Sequence, residues 1–380
     1  MNKRRIASGL QMLLSALVCI LVGLVIGFLV LTVLSYTSLA AAGQPFTMGD
    51  VITQAYNSGF KQLLMGGFYL APRAVRNEIA LTAPLIMTGL SVGFAFKTGL
   101  FNIGAAGQYA VGAFGGLLFS LVFKLPWYLC LVGAALFGAL WGAIPGIFKA
   151  YLNINEVITS IMFNWIGLYA VNTLTYMGGN SPMYNLKTTK TWPVAAVSPQ
   201  SAIPDLGTTY FKKPATIAIF LAVAVALILY VVLNKTTFGY ELKACGYSKT
   251  AAKYAGINEK RNIVLSMTIS GALAGFGAGL YYLSGVAEWQ PLVSTVLPGM
   301  GFDGISVALL ASSNPLGIIF SALFISHIST GGGMMNAGMF PPEIADVISG
   351  VIIYLCAFMM LFRTALSKLF TRKKGKGGNE

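Results

Sequence analysis

Charge, histidine and acidic side chains are scarce in this chain, and each scarcity excludes a class of function. Only 9% of the 380 residues are charged, where a soluble domain carries roughly 25%, so the chain lacks the charge to cover a water-facing surface. A single histidine, His327, excludes a multi-histidine metal centre. The four cysteines, Cys19, Cys130, Cys245 and Cys356, show no paired spacing, which supports neither a disulfide framework nor a zinc site. No Gly-rich loop ends in Gly-Lys-Ser or Gly-Lys-Thr, so the chain is not expected to hydrolyse ATP itself. Carboxylates are few, and Glu156 and Asp303 stand at the ends of apolar runs rather than inside them. Ion-coupled secondary transport, which keeps carboxylates within the membrane, is thereby disfavoured. An enzyme acting on lipid-linked substrates would need clustered metal ligands on an inner loop, where only Glu241 and Glu259 are offered.

What is present is apolar residue in long runs. Hydrophobic residues make up 56% of the chain and glycine contributes 44 positions, both typical of membrane helices. With about 20 residues needed to cross a bilayer core, the runs predict an all-α, multi-pass helix bundle of about ten spans. They lie near 10–35, 79–97, 101–123, 126–148, 155–177, 214–233, 262–284, 297–312, 315–330 and 344–363. The first run follows Lys3, Arg4 and Arg5 and is too long for a signal-peptide core, so it reads as an uncleaved span. The eighth and ninth are short and Gly-rich, and a re-entrant pair or a broken helix is the alternative.

The segmentation that follows is a tip and first span over 1–36, an outer segment over 37–78 and a bundle core over 79–370. Within the core lie an outer loop at 178–213 and an inner loop at 234–261, and a basic tail at 371–380 reads as disordered. With an inner N-terminus, only Lys61, Arg73, Arg76, Lys124, Lys187, Lys190, Lys212 and Lys213 fall outside, and the other 17 of 25 basic residues fall inside. Both termini are therefore expected on the cytoplasmic side of the membrane. The net charge of +14 follows from this arrangement beside the lipid bilayer. It does not form the interleaved basic and aromatic stripe of a nucleic-acid binder.

Polar residues inside the runs are candidates for a substrate path. Asn164 beside Trp165 offers an amide and an aromatic face, and Phe101, Asn102 and Gln108 offer a similar set, with Asp303 near a span end. The alternative is that such amides bond neighbouring helices. Asn172 is a further polar residue inside a run. Gly89 and Gly93, Gly112 and Gly116, Gly138, Gly142 and Gly146, and Gly271, Gly275 and Gly279 repeat at four-residue spacing, which favours close helix packing.

The inner loop, TTFGYELKACGYSKTAAKYAGINEKRN from Thr236 to Asn262, carries the strongest signal. Tyr247 to Ala255 reads as a short polar helix with Ala251, Ala252 and Ala255 on one small face, suited to a groove on a soluble partner. The alternative is a helix lying on the bilayer, which would need large apolar residues where Tyr247 and Tyr254 stand.

The loop resembles the coupling segment of ABC-importer permeases. Glu241, Lys243, Ala244, Gly246, Ala251, Ala252, Tyr254, Ala255, Gly256 and Ile257 stand where that family has recurring residues. TGLSVGFAFKTGLFNIGAAGQ (Thr88 to Gln108), NEVITSIMFNWI (Asn155 to Ile166) and GFDGISVALLASSNPLG (Gly301 to Gly317) resemble the nucleoside and simple-sugar branch, in matching order over roughly 80–365. The chain looks most like the longer nucleoside permease subunit. It departs at Ala106, where many relatives carry an acidic residue.

The resemblance implies a type II-like importer permease forming a path for nucleosides, with simple sugars such as ribose as the runner-up. It implies a cytoplasmic ATPase that hydrolyses ATP with Mg, an extracellular substrate-binding lipoprotein and a second homologous permease in a heterodimer. It implies that this chain binds no cofactor. It assigns ATPase coupling to Glu241, Lys243, Gly246, Tyr247, Ala251, Ala252, Tyr254 and Gly256.

Overall fold

The computed structural model describes residues 2–43, 45–66, 72–205, 216–293, 295–341 and 343–357. The basic tail at 371–380, the end of the last expected span, and Lys212 and Lys213 lie outside these residues. The architecture is helical: α1 Asn2–Ala41, α2 Met48–Gln54, α3 Lys61–Met65, α4 Pro72–Lys97, α5 Ala105–Leu117, α6 Trp127–Leu152, α7 Glu156–Tyr176, α8 Val194–Val197 and α9 Ala218–Lys235. Then follow α10 Thr237–Tyr247, α11 Lys249–Tyr254, α12 Glu259–Tyr282, α13 Gly299–Leu310, α14 Pro315–Gly332 and α15 Glu343–Ala357. The described strands, β1 Tyr184–Asn185 and β2 Lys190–Thr191, pair as a small antiparallel hairpin in the loop after α7.

Among the described residues, eight helices are long and apolar enough to cross a membrane, from Leu17–Ala41 to Pro315–Gly332. Of the ten expected spans, the one at 297–312 is too short to cross, and the one at 344–363 runs beyond the described residues. α13 has 12 residues, so it spans only ~18 Å at 1.5 Å per residue, short of the roughly 30 Å hydrocarbon core. Its turn into α14 is made by Ser312 and Ser313, both at positive φ (50° and 55°). The described part of α15 has 15 residues. The outer segment expected at 37–78 is largely helical, and α4 already begins at Pro72, so Glu78 falls inside a helix and is buried, 1% exposed.

The chain divides into two compact units, Val75–Ser326 and Met1–Ala74 with His327–Glu380. In the second of these, α1 packs on α15 where Gly23 and Gly27 leave room for Ile352 and Ile348. His327 Nε2 lies 2.8 Å from the Leu64 carbonyl there, so the lone histidine is a bonded polar group.

The unit Val75–Ser326 is built around α5, in which every residue but Phe114 is buried. Small residues make this possible. A Cβ on Gly112 would lie 2.2 Å from the Gly275 Cα on α12, and one on Gly138 of α6 would lie 2.4 Å from the Gly271 carbonyl oxygen. Gly107 backs onto Asn164 of α7, and Gly301 of α13 backs onto Ala106. The four-residue glycine repeats are thus packing seams, where backbones approach in van der Waals contact. Pro84 and Pro145 both lie inside their helices, α4 and α6.

Candidate functional site

The inner loop folds as two helices instead of one. Thr236 ends α9 and caps α10, its Oγ1 accepting from the Gly239 N–H at 3.1 Å. Ser248 then takes extended backbone and caps α11 through the Ala251 N–H at 3.3 Å. The single helix expected over Tyr247 to Ala255 is therefore split, because a serine at this position caps a helix better than it continues one. Gly256 at φ +78° closes α11, and Asn258 caps α12 through the Arg261 N–H at 3.1 Å.

Burial sorts the coupling residues into two groups. Tyr247 and Tyr254 are 91% and 90% exposed, and Ala251, Gly256, Lys249 and Lys253 share the exposed surface. Ala252 is turned inward at 3% exposed, so the small face expected for Ala251, Ala252 and Ala255 loses its middle member. Glu241 and Lys243 are half-buried on α10, and Lys243 Nζ reaches the Asn234 carbonyl oxygen of the side chain at 3.5 Å.

The floor beneath α10 is formed by Leu242 and Cys245, 1% and 5% exposed. The Cys245 sulfur accepts from Asn262 Nδ2 at 3.5 Å. Gly246 meets the Thr98–Gly99 backbone directly. A cavity of about 150 Å³ lies between this floor, the Thr98–Leu100 turn and the start of α12.

The path residues are distributed differently from the expectation. The span expected at 101–123 becomes helical only at Ala105, and Asn102 sits in the irregular stretch before it, fully buried. Asn102 and Gln108 form a reciprocal amide pair, Asn102 Nδ2 donating to Gln108 Oε1 at 2.7 Å and Gln108 Nε2 to Asn102 Oδ1 at 3.1 Å. Asn102 Nδ2 is shared with Ser270 Oγ at 2.7 Å and Ser91 Oγ at 3.2 Å, and Asn102 Oδ1 also accepts from the Gly104 N–H at 3.1 Å. Asn164 straddles the start of α5, accepting from the Gly107 N–H at 2.8 Å and donating to the Ile103 carbonyl at 3.0 Å.

Trp165 does not join Asn164. It is 40% exposed and stacks on Tyr169, whereas Asn164 is 2% exposed. Phe101 is half-buried and stacks on Phe96 with 5.2 Å between ring centroids. Asp303 lies exposed on α13.

The sequence reading missed the hydroxyls that complete this seam. Ser91 and Ser270 bond each other at 3.1 Å, and Thr98 bonds Ser266. The spacing of Ser266 and Ser270 by one helical turn is the signal that could have located them. It also missed Gly99, the partner of Gly246. Glu156 pairs with Lys149 at 2.8 Å and so ties the end of α6 to the start of α7. Ala106, the departure from the family pattern, is fully buried and faces Gly301, where an added Cβ would stand 2.3 Å from the Ala106 Cα. Among the described residues, no three His, Cys, Asp or Glu side chains gather as a metal site.

Similarity to known proteins extends over nearly the whole chain. The nucleoside ABC transporter permease protein NupB of Lactococcus lactis subsp. cremoris (strain MG1363) is 34% identical over 87% of this chain and 94% of its own length. The guanosine ABC transporter permease protein NupP of Bacillus subtilis (strain 168) is 34% identical over 96% of this chain and 98% of its own. The glucose ABC transporter permease protein TsgB13 of Haloferax volcanii is 28% identical over 85% of each chain. No solved structure matches. The model of the branched-chain amino acid transport system / permease component family matches residues 75–357, and the chain belongs to that family of multi-pass membrane permeases.

Proposed function

We propose that this chain is the translocating permease subunit of an ATP-binding-cassette importer for nucleosides. The observation that carries the substrate class is the 34% identity, over 87% and 96% of this chain, to permeases named for nucleoside and guanosine transport. The glucose permease, at 28% identity, makes a simple sugar the second reading.

In this reading the chain moves its cargo without a nucleotide site of its own. A separate cytoplasmic ATPase hydrolyses ATP with Mg and docks on the exposed surface of Tyr247, Ala251, Tyr254 and Gly256. Exposure of two tyrosines with small residues between them supports a protein groove as the receiver, because a bilayer-lying helix would present larger aliphatic groups. Motion is delivered through Gly246 against Gly99 to the inner end of α4. Asn102, Gln108 and Asn164 act as positioning residues that hold α5 in register with α4, α7 and α12. An extracellular binding lipoprotein supplies the substrate, and a second homologous permease completes the path. Both termini face the cytoplasm, in keeping with 17 of 25 basic residues on that side.

Uptake of radiolabelled guanosine and of ribose, in cells with and without this chain, tests the substrate. Guanosine uptake should disappear with the chain. Loss of ribose uptake with guanosine uptake intact would replace the nucleoside reading with the sugar one.

A further inference from the structure

Above the amide seam, the unit Val75–Ser326 holds a column of aromatic rings. Tyr109 of α5 lies 6.3 Å from Tyr282 between ring centroids, and Tyr282 lies 5.7 Å from Trp289. Tyr281 packs edge-on to Tyr282 at 5.2 Å. Gly112, one turn above Tyr109, meets Gly275 of α12. Tyr282 lies seven residues beyond Gly275, which is ~10 Å further along the helix. The column therefore runs from the middle of α12 to its end.

Its two ends are built differently. Trp289 is 3% exposed, and every polar group it offers is used. Its indole Nε1 donates to Asn172 Oδ1 at 2.9 Å and its backbone N–H to Thr191 Oγ1 at 3.0 Å, while its carbonyl accepts from the Thr191 N–H at 2.8 Å. This ring is fixed between α7 and the β1–β2 hairpin. Tyr109 is 1% exposed, and its hydroxyl has no hydrogen-bond partner among the described residues. Tyr282 lies between them with Tyr281 at its edge, and both are only partly buried, so the column can be reached.

A buried hydroxyl without a partner has given up its hydrogen bonds to water and gained nothing in exchange. A serine or threonine in a helix can relieve this by turning onto the carbonyl one turn back. A phenol cannot, because its oxygen stands at the far end of a rigid ring. The orphaned hydroxyl thus needs a partner from elsewhere, and it lies behind an accessible ring in a fixed aromatic frame.

We propose that Tyr109, Tyr282 and Trp289 form a recognition site for a planar, hydrogen-bonding heterocycle, the base of a carried nucleoside. The base stacks on Tyr282 within the frame set by Trp289, and an acceptor on its edge receives a hydrogen bond donated by the Tyr109 hydroxyl. This site rests on the nucleoside reading above and adds the residues that would tell a nucleoside from a bare sugar.

The test is Tyr109→Phe in cells carrying the complete importer, read as KM and maximal rate of guanosine uptake, with the thermal midpoint of the purified variant as a second readout. A purely structural phenol without a partner predicts an unchanged KM and an equal or higher midpoint. A base-binding phenol predicts a KM raised about five-fold, as expected for one lost hydrogen bond, again with no loss of midpoint. Tyr282→Leu should raise KM more than Tyr282→Phe does, since only the phenylalanine keeps a stacking face. An unchanged KM in Tyr109→Phe, or failure of that variant to accumulate, overturns the site. Absence of guanosine uptake in the wild type overturns the nucleoside reading itself, and with it the site.

Discussion

The Cα of Gly246 occupies the space that a side chain on Gly99 would need: a Cβ there would stand 2.4 Å away. The approach is reciprocal, with a Cβ on Gly246 falling 2.6 Å from the Thr98 carbonyl carbon. Gly99 also holds φ +74°, a backbone conformation that favours glycine. Helix α10 is thus joined by backbone contact to the turn that follows α4, and no rotamer can relieve an added methyl.

Gly246→Ala should therefore cost about 1–3 kcal/mol by overpacking and weaken the link between α10 and α4. The expected result is a lowered thermal midpoint in detergent together with reduced uptake. A variant that melts and transports like the wild type would show that this contact is not formed in the working protein.

Ala251 and Ala252 are neighbours in sequence with opposite surroundings, one exposed and the other 3% exposed. Ala251→Glu should leave the protein at normal abundance in the membrane while uptake falls at least about ten-fold, because a carboxylate is forced into the proposed partner groove. Ala252→Glu should instead lower abundance, since it buries an unpaired charge. Membrane abundance by immunoblot beside uptake separates the two, and normal transport by Ala251→Glu would remove this surface from the docking site.

Much of this organisation is legible in residue order. Hydropathy locates the eight long helices, and the polar interruption between α9 and α12 marks the inner loop. The start of α5 is not legible in this way, because Leu100, Phe101 and Ile103 keep the average apolar while the backbone around them is irregular. The bounds of α13, by contrast, are legible to within two residues at each end, 297–312 against Gly299–Leu310. The role of Asn102 depends on Ser91 and Ser270, which are 179 residues apart, and local pattern carries no record of that meeting. The orientation of Trp165 is set by which face of α7 is covered. Only packing decides that.

Asn102 allows the positioning and path readings to be separated by experiment. Asn102→Ala removes the partner of Gln108 and leaves the Gly104 N–H without its acceptor. Leaving such buried groups unpaired costs about 1–3 kcal/mol each. The midpoint of the purified protein should fall by several degrees, and Asn102→Asp should fall too, because it loses the donors to Gln108 and Ser270. An Asn102→Ala protein with an unchanged midpoint and an altered KM would place this amide in contact with cargo instead.

One substitution, glycine to alanine, should have opposite signs at two helical positions of this chain. At Gly275 the new Cβ would lie 2.3 Å from the Ala134 carbonyl oxygen and 3.0 Å from the Gly138 Cα. Both are backbone atoms at the crossing of α6 and α12, and Gly112 of α5 presses on the same residue. Relief requires the helices to move apart, which opens the seam on which α5 depends, so Gly275→Ala should lower stability by about 1–3 kcal/mol. At Gly350 of α15 no atom of the described residues lies within 4 Å of the added Cβ. There alanine only restricts the unfolded chain, and helical Gly→Ala is then favourable by roughly 0.5–1 kcal/mol. Thermal midpoints of the two purified variants should move in opposite directions from the wild type. If both fall, helix α15 is covered at Gly350 by a partner that tolerates no side chain; if neither falls, the α6–α12 crossing is looser than the distances at Gly275 require.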